Sequence, residues 1–248
     1  AIGRTAIVTR SGPAKPGALH IIAIGVSTYR EGNNLRYAAK DAEDVATMLA
    51  RQAAPGARVV KTVLRDAQVD RAAVLGLRKQ LEQTALSDTV VMFVAGHGLI
   101  DGEDQYVFGT HDVSFASGAR GIRFAELEGL LVGIPARRRI LLLDTCHAGE
   151  LDAEELAHIE RGDRTGGRAV GRLTLKPRRD HSNVDPRARA VAARGLFVDL
   201  SRGSGVTVLA ASAGAEYSFE DPTIQNGLFT HALLDGLGAG KADRDFRW

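Results

Sequence analysis

Short apolar runs alternate with longer amphipathic ones along most of this chain. Leu19–Val26 is a continuous apolar run of strand length, and Leu35–Arg51 places Leu35, Ala38, Ala39, Ala42, Val45, Ala46 and Leu49 at helical spacing. The same reading predicts a strand over Arg58–Leu64, a helix over Asp70–Gln83 and a strand over Thr89–Ala95. A hairpin around Gln105–Phe108, a short helix over Phe124–Val132 and a buried strand over Arg139–Asp144 follow. Val206–Ala211 reads as a last strand and Leu228–Leu237 as a last helix. Strands and helices in this rhythm require right-handed crossovers, and so a mainly parallel sheet covered on both faces, a three-layer α/β/α arrangement. No internal repeat interrupts it.

Residues 1–17 break the pattern. Ser11-Gly12-Pro13 and Lys15-Pro16-Gly17 punctuate an isolated Ile7-Val8 pair, which predicts an arm or linker from a neighbouring domain, with one domain over 18–248. A start at Ala1 rather than Met, and an end at Trp248 just past a helical pattern, lead us to expect a piece of a longer chain.

Composition sharpens the picture by exclusion. With 44% hydrophobic and 25% charged residues, the chain is neither disordered nor fibrous. No apolar run is long enough to cross a bilayer and no secretory signal opens the sequence, so a soluble, cytoplasmic protein without membrane contacts is expected. The net charge of +2 conceals a basic segment: Arg161–Arg194 holds ten Lys/Arg against Asp163, Asp180 and Asp185. It contains His181 but no Phe, Tyr or Trp for stacking on bases, which leaves a nucleic-acid partner unsupported.

The single cysteine allows no intramolecular disulfide and no cysteine-rich metal cage. A lone Cys is commonly just a small buried hydrophobe, but the position of Cys146 points elsewhere. In open parallel sheets, ligands bind outside the carboxyl ends of the strands. His97 follows one predicted strand by two residues and Cys146 follows another by two, which brings both to one edge if the strands are neighbours. An imidazole beside a thiol takes its proton and makes it a nucleophile. Gly96 and Gly98 allow close backbone approach around His97, and the amides of Gly98 and Cys146 are natural donors to an oxyanion.

Ala95-Gly96-His97-Gly98 after one apolar run, and Leu-Leu-Leu-Asp144-Thr145-Cys146-His147-Ala148-Gly149 after another, resemble the two catalytic motifs of the caspase and metacaspase superfamily. The spacing agrees: Cys146 follows His97 by 49 positions, and in caspases the His lies about 50 residues upstream of the Cys. The Asp-x-Cys-His-x-Gly form is closer to metacaspases and bacterial caspase-like proteins than to animal caspases. Ile24–Tyr29, Leu35-Arg36-Tyr37, Lys40-Asp41-Ala42, Ala210-Ala211-Ser212 and Gly227–Thr230 extend the resemblance over roughly 19–237. It implies a caspase-like fold and a cysteine endopeptidase that needs no cofactor and acts on proteins or peptides. It also implies fused or bound regulatory domains and a role as a bacterial signalling or defence effector.

The resemblance further implies that Asp144 and Asp41 line a pocket for an Arg or Lys side chain before the scissile bond. Asp41 is equally explained as a first-turn residue favoured by the helix dipole. Ala95 departs from the Ser that family members often carry two residues before the His. The basic segment falls in a loop at about 150–195, where caspase-like enzymes are cut or rearranged on activation, so self-processing is expected there. Asp101, Glu103 and Asp104 resemble the carboxylate clusters that bind Ca²⁺ in some metacaspases; a solvated turn is the plainer reading, and no metal site is assigned. His20, His111, His158, His181 and His231 lack ligand-like spacing and are expected on the surface or on helix faces, and His147 as a loop or packing residue. A catalytically silent signalling or scaffold module is the alternative function.

Overall fold

In a computed structural model, residues 16–103, 105–147, 205–211, 220–221 and 224–238 are described. The central sheet is built from five parallel strands in the order β2-β1-β3-β6-β7: β1 Leu19–Gly25, β2 Val59–Arg65, β3 Thr89–Ile100, β6 Arg138–His147 and β7 Thr207–Ala210. Beyond the last β1–β3 pair, Gly25↔Ala95, β3 runs on with a new neighbour on that side. Its Gly98–Ile100 segment pairs antiparallel with β4 (Tyr106–Phe108), which pairs in turn with β5 (Ile122–Arg123). This is the hairpin expected around Gln105–Phe108.

Alternation along β3 explains the three layers. Val90, Met92 and Val94 join Ile22, Ile24, Leu141 and Leu143 on one face, packed against α2 (Arg71–Gly76), α3 (Arg78–Leu81) and α4 (Phe124–Leu131) through Val74, Leu77, Leu81, Leu127 and Leu131. Val91, Phe93 and Ala95 join Ile21, Ala23 and Leu142 on the other face. There they meet Ala38, Ala42, Val45 and Ala46 of α1 (Ala38–Arg51), with Phe229 and Leu233 of α5 (Leu228–Leu233) against the same cluster. A strand buried on both faces needs an unbroken apolar run, which is why these strands are visible in the sequence.

Three expectations are corrected. The helix expected over Asp70–Gln83 is two short ones, broken at Leu77; Asp70 caps the first by accepting from the Ala73 amide at 2.7 Å. The helix expected from Leu35 begins at Ala38, because Leu35 N–H is spent on the Ser27 carbonyl, while Ser27 Oγ accepts from Ala39 N–H at 2.9 Å. And β3 and β6 do not stop at Ala95 and Asp144: both run on, so His97 and Cys146 lie inside strands rather than two residues past them. Hydrogen-bonded partners at the β3 end, β4 on one side and β6 on the other, prolong the ladder through the Gly-rich stretch.

The opposite end of the sheet is closed by a buried pair. His20 Nε2 lies 3.0 Å from Asp88 Oδ2, and the same carboxylate accepts from the Ala18 and Ala85 amides, each at 2.8 Å. The surface position expected for His20 is therefore wrong: it is a buried β1 residue whose Nε2 is paired with a carboxylate from far along the chain. No helix among the described residues is long and apolar enough to cross a membrane.

Candidate active site

His97 and Cys146 are direct register partners on adjacent parallel strands, in the run Ala95↔Asp144, Gly96↔Thr145, His97↔Cys146, Gly98↔His147. Gly96 adopts φ +151°, a region that disfavours any side chain, and a Cβ there would stand 2.8 Å from Tyr29 Oη and 3.0 Å from Phe108 Cε2. The glycine thus lets the Tyr29 hydroxyl reach the strand, where it accepts the His97 backbone N–H at 2.9 Å.

The His97 side chain is 7% exposed. Its ring stands 5.0 Å from the Tyr29 ring and 5.4 Å, edge-on, from the Phe115 ring. Nε2 is 2.7 Å from the Asn33 carbonyl oxygen. A carbonyl only accepts, so Nε2 carries the proton and Nδ1 keeps its lone pair. Nδ1 is buried and has no hydrogen-bond partner among the described residues. Desolvation in this aromatic surround disfavours the imidazolium and pushes the His97 pKa below its ordinary value, while the Asn33 contact pulls weakly the other way. This environment favours the neutral imidazole, with Nε2 as an oriented donor and Nδ1 as an unspent base. Asn33 itself has φ +58°, in the left-handed region that Asn tolerates better than most residues.

The two aspartates singled out from the sequence come together although they lie far apart in the chain. Asp144, 4% exposed, accepts at Oδ2 from Thr230 Oγ1 at 2.6 Å and from Thr230 N–H at 3.2 Å. Asp41, 2% exposed, accepts at Oδ1 from Asn226 Nδ2 at 2.7 Å and at Oδ2 from Gly227 N–H at 3.0 Å. Asn226–Gly227 forms β9, a two-residue strand paired with β8 (Glu220–Asp221), and Gly227 leads directly into α5. Asp41 lies in the first turn of α1, yet it is a buried acceptor of bonds from another part of the chain, which a first-turn dipole preference does not explain.

The remaining candidates divide. Gly98 sits in the ladder between Phe108 and His147. Asp101 accepts from the Glu103 and Gln105 amides at 2.9 and 3.0 Å and lies 3.0 Å from an Arg123 nitrogen that also reaches Glu103. Its carboxyl is held below the usual range: burial pushes it up, but the two amides and Arg123 outweigh that. This pair is a turn tied to a guanidinium; Asp104 lies outside the described residues. No group of three or more His, Cys, Asp or Glu is placed to hold a metal ion among the described residues. His111 bonds the Thr28 carbonyl through Nδ1, and His231 belongs to α5. His158, His181 and the whole basic segment lie outside the described residues.

Tyr29, Asn33, Phe115, Asn226 and Thr230 escaped the sequence reading as site residues. Asn33 carried a faint signal in Gly32-Asn33-Asn34, a run suited to positive φ. Asn226 and Thr230 gave none, since their partners are 185 and 86 residues away.

A parallel sheet sandwiched by helices, with a Cys and a His paired across neighbouring strands near its carboxyl end and two buried acids brought together by one further stretch, defines a class of α/β proteins built around a candidate thiol site. Comparison with known families makes the class specific: the caspase domain matches residues 19–247, and the chain belongs to that family. Among solved structures, the chain is similar to the protein GSU0716 from Geobacter sulfurreducens. The two share 18% sequence identity over 90% of this chain and 83% of that one, with a TM-score of 0.54, which shows a common fold. The comparison with curated proteins found no match.

Proposed function

We propose that this caspase-domain protein is a cysteine endopeptidase of the metacaspase kind that cleaves after Arg or Lys. The observation that carries this reading is the buried His97 imidazole, with Nε2 spent on the Asn33 carbonyl and Nδ1 unpartnered among the described residues, on the rung of the sheet opposite Cys146.

In the proposed reaction His97 Nδ1 takes the thiol proton as Cys146 Sγ attacks the scissile carbonyl. The C–N bond then breaks, the proton passes to the leaving amine, and a thioester remains. Water attacks the thioester with His97 again as base, releasing the acid and restoring the thiol. The amides of Gly98 and Cys146 are the proposed donors to the oxyanion of both tetrahedral intermediates. Asp41 and Asp144 supply the negative charge that holds a guanidinium or ammonium, since a desolvated carboxylate makes a strong charge-assisted pair. The chemistry needs no cofactor.

A fluorogenic peptide panel with Arg, Lys or Asp before the cut tests the reading. Cys146→Ala and His97→Ala are each expected to abolish turnover with unchanged circular dichroism, because the two act as one unit. Turnover by either variant removes the dyad from the mechanism, and a wild-type preference for Asp peptides overturns the proposed specificity.

A further inference from the structure

The acids Asp41 and Asp144 belong to different elements, α1 and β6, and what joins them is the five-residue stretch Asn226–Thr230. Four hydrogen bonds from this stretch end on the two carboxylates: Asn226 Nδ2 and Gly227 N–H on Asp41, Thr230 N–H and Thr230 Oγ1 on Asp144. Asn226 Nδ2 also reaches Asp44 Oδ2 at 3.0 Å. Thr230 is fully buried, so its hydroxyl has no bulk water as an alternative partner and is committed to Asp144.

Gly227 sits between the acids. A Cβ on it would stand 2.8 Å from Asp144 Oδ2 and 3.1 Å from Asp41 Oδ2. Its backbone, at φ −62° and ψ 148°, is one that any residue adopts, so no turn geometry calls for glycine here. The missing side chain is explained by the carboxylates alone: both can converge on one point only while position 227 is bare. Two carboxylates in such proximity repel one another unless donors neutralise them, and the same stretch that makes room for them supplies those donors.

We infer that Gly227 and Thr230 determine the specificity of the acidic pocket, Gly227 by leaving the space in which Asp41 and Asp144 converge and Thr230 as the positioning residue that aims Asp144. The inference rests on the proposed Arg/Lys-cleaving function. It assigns recognition of the basic side chain to three segments of the chain rather than to the two acids.

The test uses the full chain, a fluorogenic Arg peptide, and iodoacetamide alkylation of Cys146, the only cysteine, as a readout that needs no pocket. Gly227→Ala and Thr230→Val are each expected to raise KM for the Arg peptide tenfold or more, with a smaller change in kcat and an alkylation rate within twofold of wild type. Thr230→Ser, which keeps the hydroxyl, is expected to restore KM to within about threefold. Unchanged KM in soluble, folded Gly227→Ala and Thr230→Val overturns the inference. So does a loss of kcat and alkylation with KM untouched, which marks the stretch as structural support for the nucleophile. Should Gly227→Ala fail to fold, the comparison of Thr230→Val with Thr230→Ser decides alone. A wild-type protein that cleaves no Arg or Lys peptide while Cys146 still reacts with iodoacetamide defeats the proposed specificity instead, before either variant is made.

Discussion

Replacing Gly96 by Ala tests how the strand end holds the candidate base. The added methyl would lie 2.8 Å from Tyr29 Oη, closer than real Cβ contacts, and 3.0 Å from Phe108 Cε2, tighter than most of them. The backbone at φ +151° is a conformation in which a non-glycine residue costs about 1–3 kcal/mol. Both rings are buried, and the Tyr29 hydroxyl is the tighter contact, so Tyr29 gives way first. Its hydroxyl then leaves the His97 amide, and a buried donor without an acceptor costs a further ~1–3 kcal/mol. Together these give roughly 2–6 kcal/mol, divided between lost stability and a displaced imidazole. Urea unfolding reads the first share and kcat/KM on an Arg peptide the second, with about 1.4 kcal/mol for each factor of ten in rate. Tyr29→Phe isolates the hydroxyl and should recover no more than the hydrogen-bond part, about 1–3 kcal/mol. A Gly96→Ala protein with wild-type midpoint and wild-type kcat/KM would refute the reasoning, because neither the strain nor the tether would then exist.

Other consequences are open to measurement. Burial holds the His97 pKa below its ordinary value, so the base stays neutral until the pH falls below the range of a solvent-exposed histidine. The acid limb of kcat/KM against pH should therefore lie lower than ordinary histidine titration, and a limb above it would contradict the desolvated environment. For Asp88, burial pushes the carboxyl up, but the Ala85 and Ala18 amides and His20 outweigh it and leave its pKa lowered. Its stabilising effect is thus present above the unfolded-state value and lost as pH falls through the folded one. Asp88→Asn should cost about 2–3 kcal/mol in urea unfolding at pH 7, with the difference from wild type shrinking in acid. The basic segment Arg161–Arg194 should be cut after Arg or Lys by wild type and not by Cys146→Ala; mass spectrometry of both after incubation, finding the segment intact in fully active enzyme, would exclude activation through it.

The layers were legible because strands buried on both faces leave unbroken apolar runs, as in Val90–Ala95 and Ile140–Leu143, and helices against them leave a 3.6-residue period. The adjacency of His97 and Cys146 could be anticipated for the same reason: each follows such a run, and parallel neighbours deliver their ends to one edge. The true strand ends were not visible, since β3 continues through Gly96-His97-Gly98 only because β4 and β6 supply partners, a tertiary effect with no local signature. The surroundings of the candidate base were hidden likewise. Asn33 contributes a backbone carbonyl, which every residue possesses, and Phe115 reaches His97 from a loop without periodicity. His20 was misplaced because nothing near it in sequence announces Asp88, 68 residues on.

The ladder joining β3 to β6 has a consequence for engineering. Neighbouring strands stand about 4.8 Å apart whatever connects them, so the spacing between positions 97 and 146 is set by backbone pairing and not by the intervening residues. Lengthening a loop is thermodynamically mild, about 0.6 kcal/mol per doubling. The turn between β3 and β4, exposed at Gly102 and Glu103, is therefore a place where a reporter or ligand-binding module can be inserted without changing which residues face each other across the ladder. A module placed there would sit next to the end of the strand that carries His97 while the ladder keeps that residue opposite Cys146.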